Sequence, residues 1–249
     1  MRVLMTGGGT GGHVNPALAL AQLMKERNPD TEFLFVGAER GLEKDLVPKA
    51  GYAFKTVHIS GFHRSFKPKE IKHNLGSLYN LMRAPREAKA ILDEFRPDVV
   101  VGTGGYASFP ALLAGKQMKI PTCVHEANAM PGLTTRMIAD RADRVLTCFP
   151  ESAKYYKHPE KVEVVGMPVR KEFILTRKEA ARKELGLDER PLIVSAFGSQ
   201  GAEAMNRVMA ELFAAKGHQV FFLYEKDVQE LARQEKLSTE EAGRKVRYE

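Results

Sequence analysis

The 249-residue sequence has no tryptophan and only two cysteines. Cys123 and Cys148 do not form a metal-binding or redox spacing. Cys123 lies in an apolar strand pattern, so both read as core thiols of a reducing compartment. No apolar run approaches the roughly 20 residues of a membrane-spanning helix. The chain opens directly on a strand-like run without a basic leader, so no signal peptide is expected and the protein reads as cytoplasmic in character. What remains is a hydrophobic content of 43% and a charged content of 28%. That is enough apolar material for a sizeable core, in one large or two modest domains, and it excludes global disorder.

Glycine, by contrast, is concentrated at the start. Residues 7–12 are Gly-Gly-Gly-Thr-Gly-Gly, preceded by the apolar run Val3–Thr6 and followed by His13-Val-Asn-Pro16. A strand, a glycine turn and a helix N-terminus together make a place for an anion, because backbone N–H groups and the positive end of the helix converge there. The register also satisfies Gly7-x-Gly9-x-x-Gly12, the dinucleotide fingerprint. A nicotinamide or flavin enzyme should then show an acid at the end of its second strand. Here Phe33–Val36 runs into Gly37-Ala38, and Glu39 comes late. No Gly-Lys-Ser/Thr follows the turn, which excludes a Walker A loop. A tight turn without a ligand would not need so many glycines.

Along the first 150 residues, near-continuous apolar strands alternate with helices. Strands are expected at Val3–Thr6, Phe33–Val36, Lys55–Ile59, Val99–Val101, Thr122–Glu126 and Val145–Cys148. Helices are expected at Pro16–Arg27, Gly41–Ala50, Leu75–Phe95, Phe109–Met118, Pro131–Ala139 and Glu151–Tyr155. The pattern predicts an α/β fold with a buried, doubly wound parallel sheet. After a short strand at Lys161–Val165, Gly166-Met-Pro-Val-Arg170 breaks the rhythm. A helix at Thr176–Leu185 follows, and a new βα pattern starts at Pro191–Ala196. A helix running to Phe213, a strand at Gln219–Tyr224 and a capping box at Ser238–Glu241 come after it. The expected domains are therefore 1–165, Rossmann-like, and 166–249, a second and incomplete one.

Glycine turns recur at Gly102-Thr-Gly-Gly105 and Gly198-Ser-Gln-Gly201. All three turns fall at the carboxyl ends of parallel strands, where open α/β sheets bind ligands. A fourth strand ends in His125-Glu126-Ala127-Asn128, whose two ionisable groups and amide are hard to explain by core packing. The net charge is +7. Between Phe62 and Lys89, Arg64, Lys67, Lys69, Lys72, Arg83, Arg86 and Lys89 face only Glu70 and Glu87, so an anionic partner is implied. Leu75, Leu78, Tyr79, Leu81 and Met82 share that segment with Lys72, Arg83 and Arg86. Apolar anchors ringed by cations suit an anionic bilayer, although an ordinary core-facing helix has a similar stripe. The segment lacks an interleaved aromatic platform, which argues against nucleic acid.

Taken in order, Gly-Gly-Thr-Gly-Gly-His (8–13) with Pro16, Gly-Gly-Tyr (104–106), His-Glu-x-Asn (125–128), Gly-x-Pro-Val-Arg (166–170) and Gly-Ser-Gln-Gly-Ala (198–202) closely resemble the MurG family of bacterial glycosyltransferases, in glycosyltransferase family 28. The resemblance covers nearly the whole chain. It implies the GT-B architecture of two Rossmann-like domains, the first for a lipid-linked acceptor and the second for UDP-GlcNAc. It further implies transfer of GlcNAc, with inversion, to the C4 hydroxyl of the muramyl pentapeptide on undecaprenyl diphosphate (lipid I). The product would be lipid II for peptidoglycan, made at the cytoplasmic face of the bacterial inner membrane by a peripheral protein.

Under that resemblance His13 is the candidate general base, since an imidazole with a pKa of about 6.5 suits proton transfer near neutrality. Glu126, and His125 beside it, are competing bases or orienting partners. Thr10, Gly11, Gly12, Asn128, Arg170, Ser199 and Gln200 are implied contacts of UDP-GlcNAc, with Arg170 balancing the leaving diphosphate. Gly9, Gly104, Gly105 and Tyr106 are implied around the acceptor diphosphate. No cofactor and no metal are implied, and the sequence carries no Asp-x-Asp motif. Two positions depart from the family: Phe197 stands where a glycine usually precedes the Ser-Gln turn, and Met167 where Asn is usual. The family also continues beyond the length of this chain, so a membrane-associated acceptor-binding module with weak or no turnover is the alternative expectation.

Overall fold

The computed structural model describes residues 1–61, 68–190, 192–194 and 203–217, excluding the side chains of 68–73, Leu78, Glu172, Phe173 and Glu203. The chain divides into two compact units, Met1–Leu175 and Thr176–Glu249.

The first unit is built on seven parallel strands: β1 (Arg2–Thr6), β2 (Glu32–Ala38), β3 (Ala53–Val57), β4 (Val99–Gly102), β5 (Thr122–Glu126), β6 (Arg144–Thr147) and β7 (Val162–Val164). Their order across the sheet is β3-β2-β1-β4-β5-β6-β7. Every pairing is parallel, and β1 is central, with Leu4 facing Leu34 on β2 and Val100 on β4. Strand side chains alternate between two apolar layers, as the pleat requires. Val3, Met5, Phe35 and Val101 pack with Val14, Ala17 and Ala21 of α1 (Gly11–Arg27) and Val47 of α2 (Glu43–Lys49). Leu4, Val36, Val100 and Val124 pack on the other face with Ala84, Ala88 and Leu92 of α3 (Pro68–Phe95) and Leu112 of α4 (Phe109–Gln117). This is the doubly wound α/β sheet that the alternating pattern predicts.

The strand order reverses between β1 and β4. The chain leaves β1 toward β2 on one side and returns through β4 on the other, which opens a crevice beyond the carboxyl ends of these two strands. Thr6 pairs with Gly102, so the first and second glycine turns start side by side. The shorter elements α5 (Leu133–Ala139) and α6 (Lys171–Leu175) follow β5 and β7. In the second unit the described helices are α7 (Lys178–Glu184) and α8 (Glu203–Ala215). Residues 192–194 carry no strand pairing. The expected third glycine turn, the strand at Gln219–Tyr224 and the capping box lie outside the described residues. Among the described residues no helix is long and apolar enough to cross a membrane.

Candidate active site

Helix α1 starts at Gly11 and not at Pro16, with Thr10 extended before it (φ −140°, ψ 158°) and no side-chain cap. Gly11, Gly12 and His13 are thus its first turn. The N–H groups of His13 and Val14 already bond to Thr10 O, at 3.1 and 3.2 Å. Those of Gly11 and Gly12 are left for the crevice, at the positive end of a 17-residue helix.

Thr103 clasps His13 from both sides. Its hydroxyl donates to His13 O at 2.6 Å, and its carbonyl lies 3.1 Å from His13 Nδ1. A carbonyl only accepts, so Nδ1 carries a hydrogen, and in the neutral ring the lone pair is on Nε2. The half-buried ring is therefore held in the tautomer that a general base needs. Thr103 is itself fixed by its N–H to Thr6 O at 2.8 Å. Its role escaped the sequence reading, although it stands inside the second glycine turn.

The two turns interlock. Gly8 N–H reaches Gly104 O at 3.4 Å. Gly105, at φ +76°, has no room for a side chain: a Cβ there would overlap Gly8 O and stand 3.0 Å from His13 Cδ2. The Tyr106 ring covers Gly9 and Gly61. Burial, and then the nearby charge of Glu43, pushes the Tyr106 phenol up.

Glu43 is the second residue that the sequence did not reveal. Its Oε1 accepts Ala38 N–H at 2.8 Å and its Oε2 accepts Gly9 N–H at 2.9 Å. This bears on Gly9, which the resemblance implies at a diphosphate. Its N–H is committed inward to a buried carboxylate, whose charge opposes a second anion at the same peptide. Among the described residues, Gly104 and Gly105 of the second turn and Gly11 and Gly12 of α1 have no such internal partner.

Glu126, read as a competing base, is 2% exposed, and both of its oxygens accept hydrogen bonds. Oε1 accepts Asn128 N–H at 3.0 Å and Asn128 Nδ2 at 2.8 Å, while Oε2 accepts Gly132 N–H at 3.1 Å. The carboxylate braces the loop 127–132 and orients Asn128. His125 points to the other side of β5. Its Nε2 lies 2.9 Å from Gly166 O and 3.6 Å from Cys148 Sγ. Gly166 is tied further by its N–H to Thr147 O at 3.3 Å, and Arg170 lies exposed four residues beyond it. Burial and the Glu126 charge push the Cys148 thiol up, and burial drives Cys123 up to about 11, which in both cases disfavours the thiolate. Ser199, Gln200 and Phe197 lie outside the described residues.

Helix α3 separates the residues that were grouped as membrane anchors. Leu75, Tyr79 and Met82 are 64%, 63% and 73% exposed and share one face with exposed Arg86. Leu81 does not belong with them: it packs against the core beside Ala84 and Ala88. Residues spaced by three and four share a helix face, and Leu81 falls on the inward one. Arg83 pairs with Glu87 at 2.7 Å. Among the described residues no group of three or more His, Cys, Asp or Glu could hold a metal ion.

The chain matches the family model described as glycosyltransferase family 28 N-terminal domain over residues 3–147. A curated protein of Acetivibrio thermocellus named UDP-N-acetylglucosamine–N-acetylmuramyl-(pentapeptide) pyrophosphoryl-undecaprenol N-acetylglucosamine transferase is 44% identical over 213 residues, covering 85% of this chain and 57% of its own. A protein of the same name from Bacillus pumilus is 39% identical, over 93% of this chain and 65% of its own. The chain thus spans about three-fifths of the length of these relatives. Among solved structures, Acinetobacter baumannii MurG superposes with a TM-score of 0.54 at 25% identity, over 69% of this chain and 46% of that one. A Neisseria meningitidis UDP-GlcNAc 2-epimerase bound to UDP-GlcNAc gives 0.55 at 16% identity, over 86% and 62%, and shares the fold alone. The glycine turns, the crevice they line and the matched residues agree, and the chain belongs to glycosyltransferase family 28.

Proposed function

We propose that this chain provides the acceptor side of an inverting GlcNAc transferase. In this reading the enzyme moves GlcNAc from UDP-GlcNAc to the C4 hydroxyl of the muramyl pentapeptide carried on undecaprenyl diphosphate, converting lipid I to lipid II. The observation that carries the reading is the His13–Thr103 clasp, which puts the hydrogen of the neutral ring on Nδ1 and so leaves the lone pair on Nε2. The naming of relatives 44% and 39% identical supplies the substrate class.

The chemistry follows from that geometry. The acceptor oxygen attacks the anomeric carbon of GlcNAc from the face opposite the diphosphate. Its proton passes to His13 Nε2 as the new C–O bond forms, and the bond to UDP breaks with the electron pair going to the diphosphate. The configuration inverts because attack and departure lie on opposite faces. The imidazolium formed keeps Thr103 O as its Nδ1 acceptor and so needs no reorientation. Gly11 and Gly12 N–H with the α1 dipole would face negative charge in the crevice, and Arg170 would offset the departing UDP. Asn128, held by Glu126, would present its amide oxygen to a sugar hydroxyl. The acceptor diphosphate is placed on the Gly104–Gly105 turn. The exposed face of α3 would rest on the anionic inner leaflet, with Leu75, Tyr79 and Met82 inserted and Arg86 among the headgroups.

A second reading is a membrane-associated acceptor-binding module without turnover of its own, since His13, Thr103, Gly104, Gly105 and Asn128 all belong to the first unit. Calorimetric titration of UDP-GlcNAc into this chain separates the two. Saturable binding supports the transferase. Binding of a lipid diphosphate without binding of UDP-GlcNAc supports the module.

A further inference from the structure

Glu43 opens α2, where an acidic residue is ordinarily solvated and favourable to the helix dipole. Here it is 1% exposed and lies beneath the first glycine turn. Side chains at Gly8 or Gly41 would overlap its carboxylate, and one at Gly37 would overlap its Cγ. Three glycines from three segments thus form a niche that fits this group. Withdrawing a carboxylate from water costs several kcal/mol unless hydrogen bonds offset it. The two bonds that do so fix Ala38 at the end of β2 and Gly9 in the turn.

The contacts continue from there to the catalytic crevice. Gly9 sits at φ +86° and is followed by the extended Thr10 that starts α1. Its neighbour Gly8 bonds to Gly104 O and lies against Gly105. Gly104 and Gly105 in turn press on the His13 ring: Cβ atoms there would stand 2.8 Å from Nδ1 and 3.0 Å from Cδ2. Thr103, immediately before them, holds the Nδ1 hydrogen. Moving Gly9 therefore moves Gly8, the second turn and the acceptor that sets the tautomer.

We propose that Glu43 is a positioning residue which, through the interlocked glycine turns, holds His13 in the Nδ1–H tautomer. The inference deepens the proposed function and rests on the reading of His13 as the base.

The test uses the full 249-residue chain labelled with ¹⁵N at histidine, with His13 assigned by its loss in His13→Gln. The wild-type ring should show two widely separated nitrogen shifts, those of a single Nδ1–H tautomer. In Glu43→Gln, which keeps the volume but removes the charge and sets an amide against a backbone N–H, the two shifts should move toward the averaged values of a free imidazole. Glu43→Asp should recover part of the separation. Where turnover is followed, kcat should fall roughly 100-fold in Glu43→Gln with KM nearly unchanged, the signature of a displaced catalytic group. Unchanged His13 shifts in folded Glu43→Gln would overturn the inference. So would failure of both variants to fold, which would make Glu43 a stability element and nothing more. If His13→Ala keeps full turnover while Glu43→Gln still releases the ring, the base reading fails and the positioning inference stands.

Discussion

Glu126→Gln separates a brace from a base. The substitution keeps the shape of the side chain and removes its charge. One oxygen can still accept from the backbone and side chain of Asn128, but the new amide group then faces Gly132 N–H, donor against donor. The loss of one charge-assisted hydrogen bond costs about 1.5–3 kcal/mol, and a buried donor left without an acceptor adds about 1–3 kcal/mol. Relaxation of the loop recovers part of this, which leaves a destabilisation of roughly 2–4 kcal/mol. For a unit of this size each kcal/mol moves Tm by about 2–4 °C, so Tm should fall by roughly 5–15 °C. Scanning calorimetry of the full chain reads that shift. A second readout is Tyr156, whose phenol is pushed up by burial and then by the Glu126 charge. In Glu126→Gln its titration should move down but stay above that of a solvated tyrosine. An unchanged Tm together with abolished turnover would refute the brace and return Glu126 to the chemistry.

His13→Ala should leave the fold intact and reduce turnover by roughly 10²–10⁴-fold, the range of general-base catalysis; near wild-type turnover would remove His13 as the base. Asp143, just before β6, ties that strand to β5 through Thr122 N–H at 2.9 Å and Thr122 Oγ1 at 3.0 Å, and to α4 through Lys116 Nζ at 2.5 Å. Burial raises its pKa, but the hydrogen bonds from Lys116 and Thr122 outweigh that and hold it below the ordinary value. A carboxylate depressed on folding stabilises fully above its unfolded pKa of about 3.9 and loses that contribution as pH falls through the folded value. The Asp143 side chain is 44% exposed, so solvent screens the pair, and Asp143→Asn should cost no more than about 1 kcal/mol near pH 7, a difference that should shrink below about pH 4. Denaturant titrations at pH 7 and pH 3 that gave the same difference would contradict this. Replacing Tyr79 and Met82 by serine should weaken binding to anionic vesicles at least about tenfold without changing Tm, since each removes about 1 kcal/mol of insertion; unchanged sedimentation with vesicles would rule out this face as the anchor.

The sheet was legible because buried parallel strands are nearly continuous apolar runs, and those at Val3–Thr6 and Val99–Val101 stand out as such. Element edges were less so. Helix α1 was expected at Pro16, since Gly11 and Gly12 are poor helix formers, yet it starts at Gly11. Tertiary contacts overrode propensity there. Strand β3 lies at Ala53–Val57 and not Lys55–Ile59, because the chain turns back after it with Ile59 N–H on Val57 O. Within the site, His13 was visible from its place after the glycines. Glu43 was not: in Gly-Leu-Glu-Lys-Asp it reads as a solvated first turn. Only Gly37 and Gly41 around it hinted at a crowded neighbourhood. Leu81 and Met82 are adjacent in sequence and alike in character, and only the helix phase sends one inward and the other out.

The central place of β1 shapes how the chain comes off the ribosome. Arg2 N–H bonds to Asp98, 96 residues later, and one whole edge of β1 waits for β4. At about 5–20 residues per second, that edge stays open for roughly 5–20 s of synthesis. Over that interval the nascent chain holds a strand of Val, Leu and Met with half its ladder unformed, which invites pairing with a neighbouring chain. Because β1 gains its second neighbour only after α3 has been made, mutations in α3 that leave the finished protein stable should still lower soluble yield. The glycine turns that build the crevice cannot interlock before that moment, so the site is assembled late, by the same event that closes the sheet.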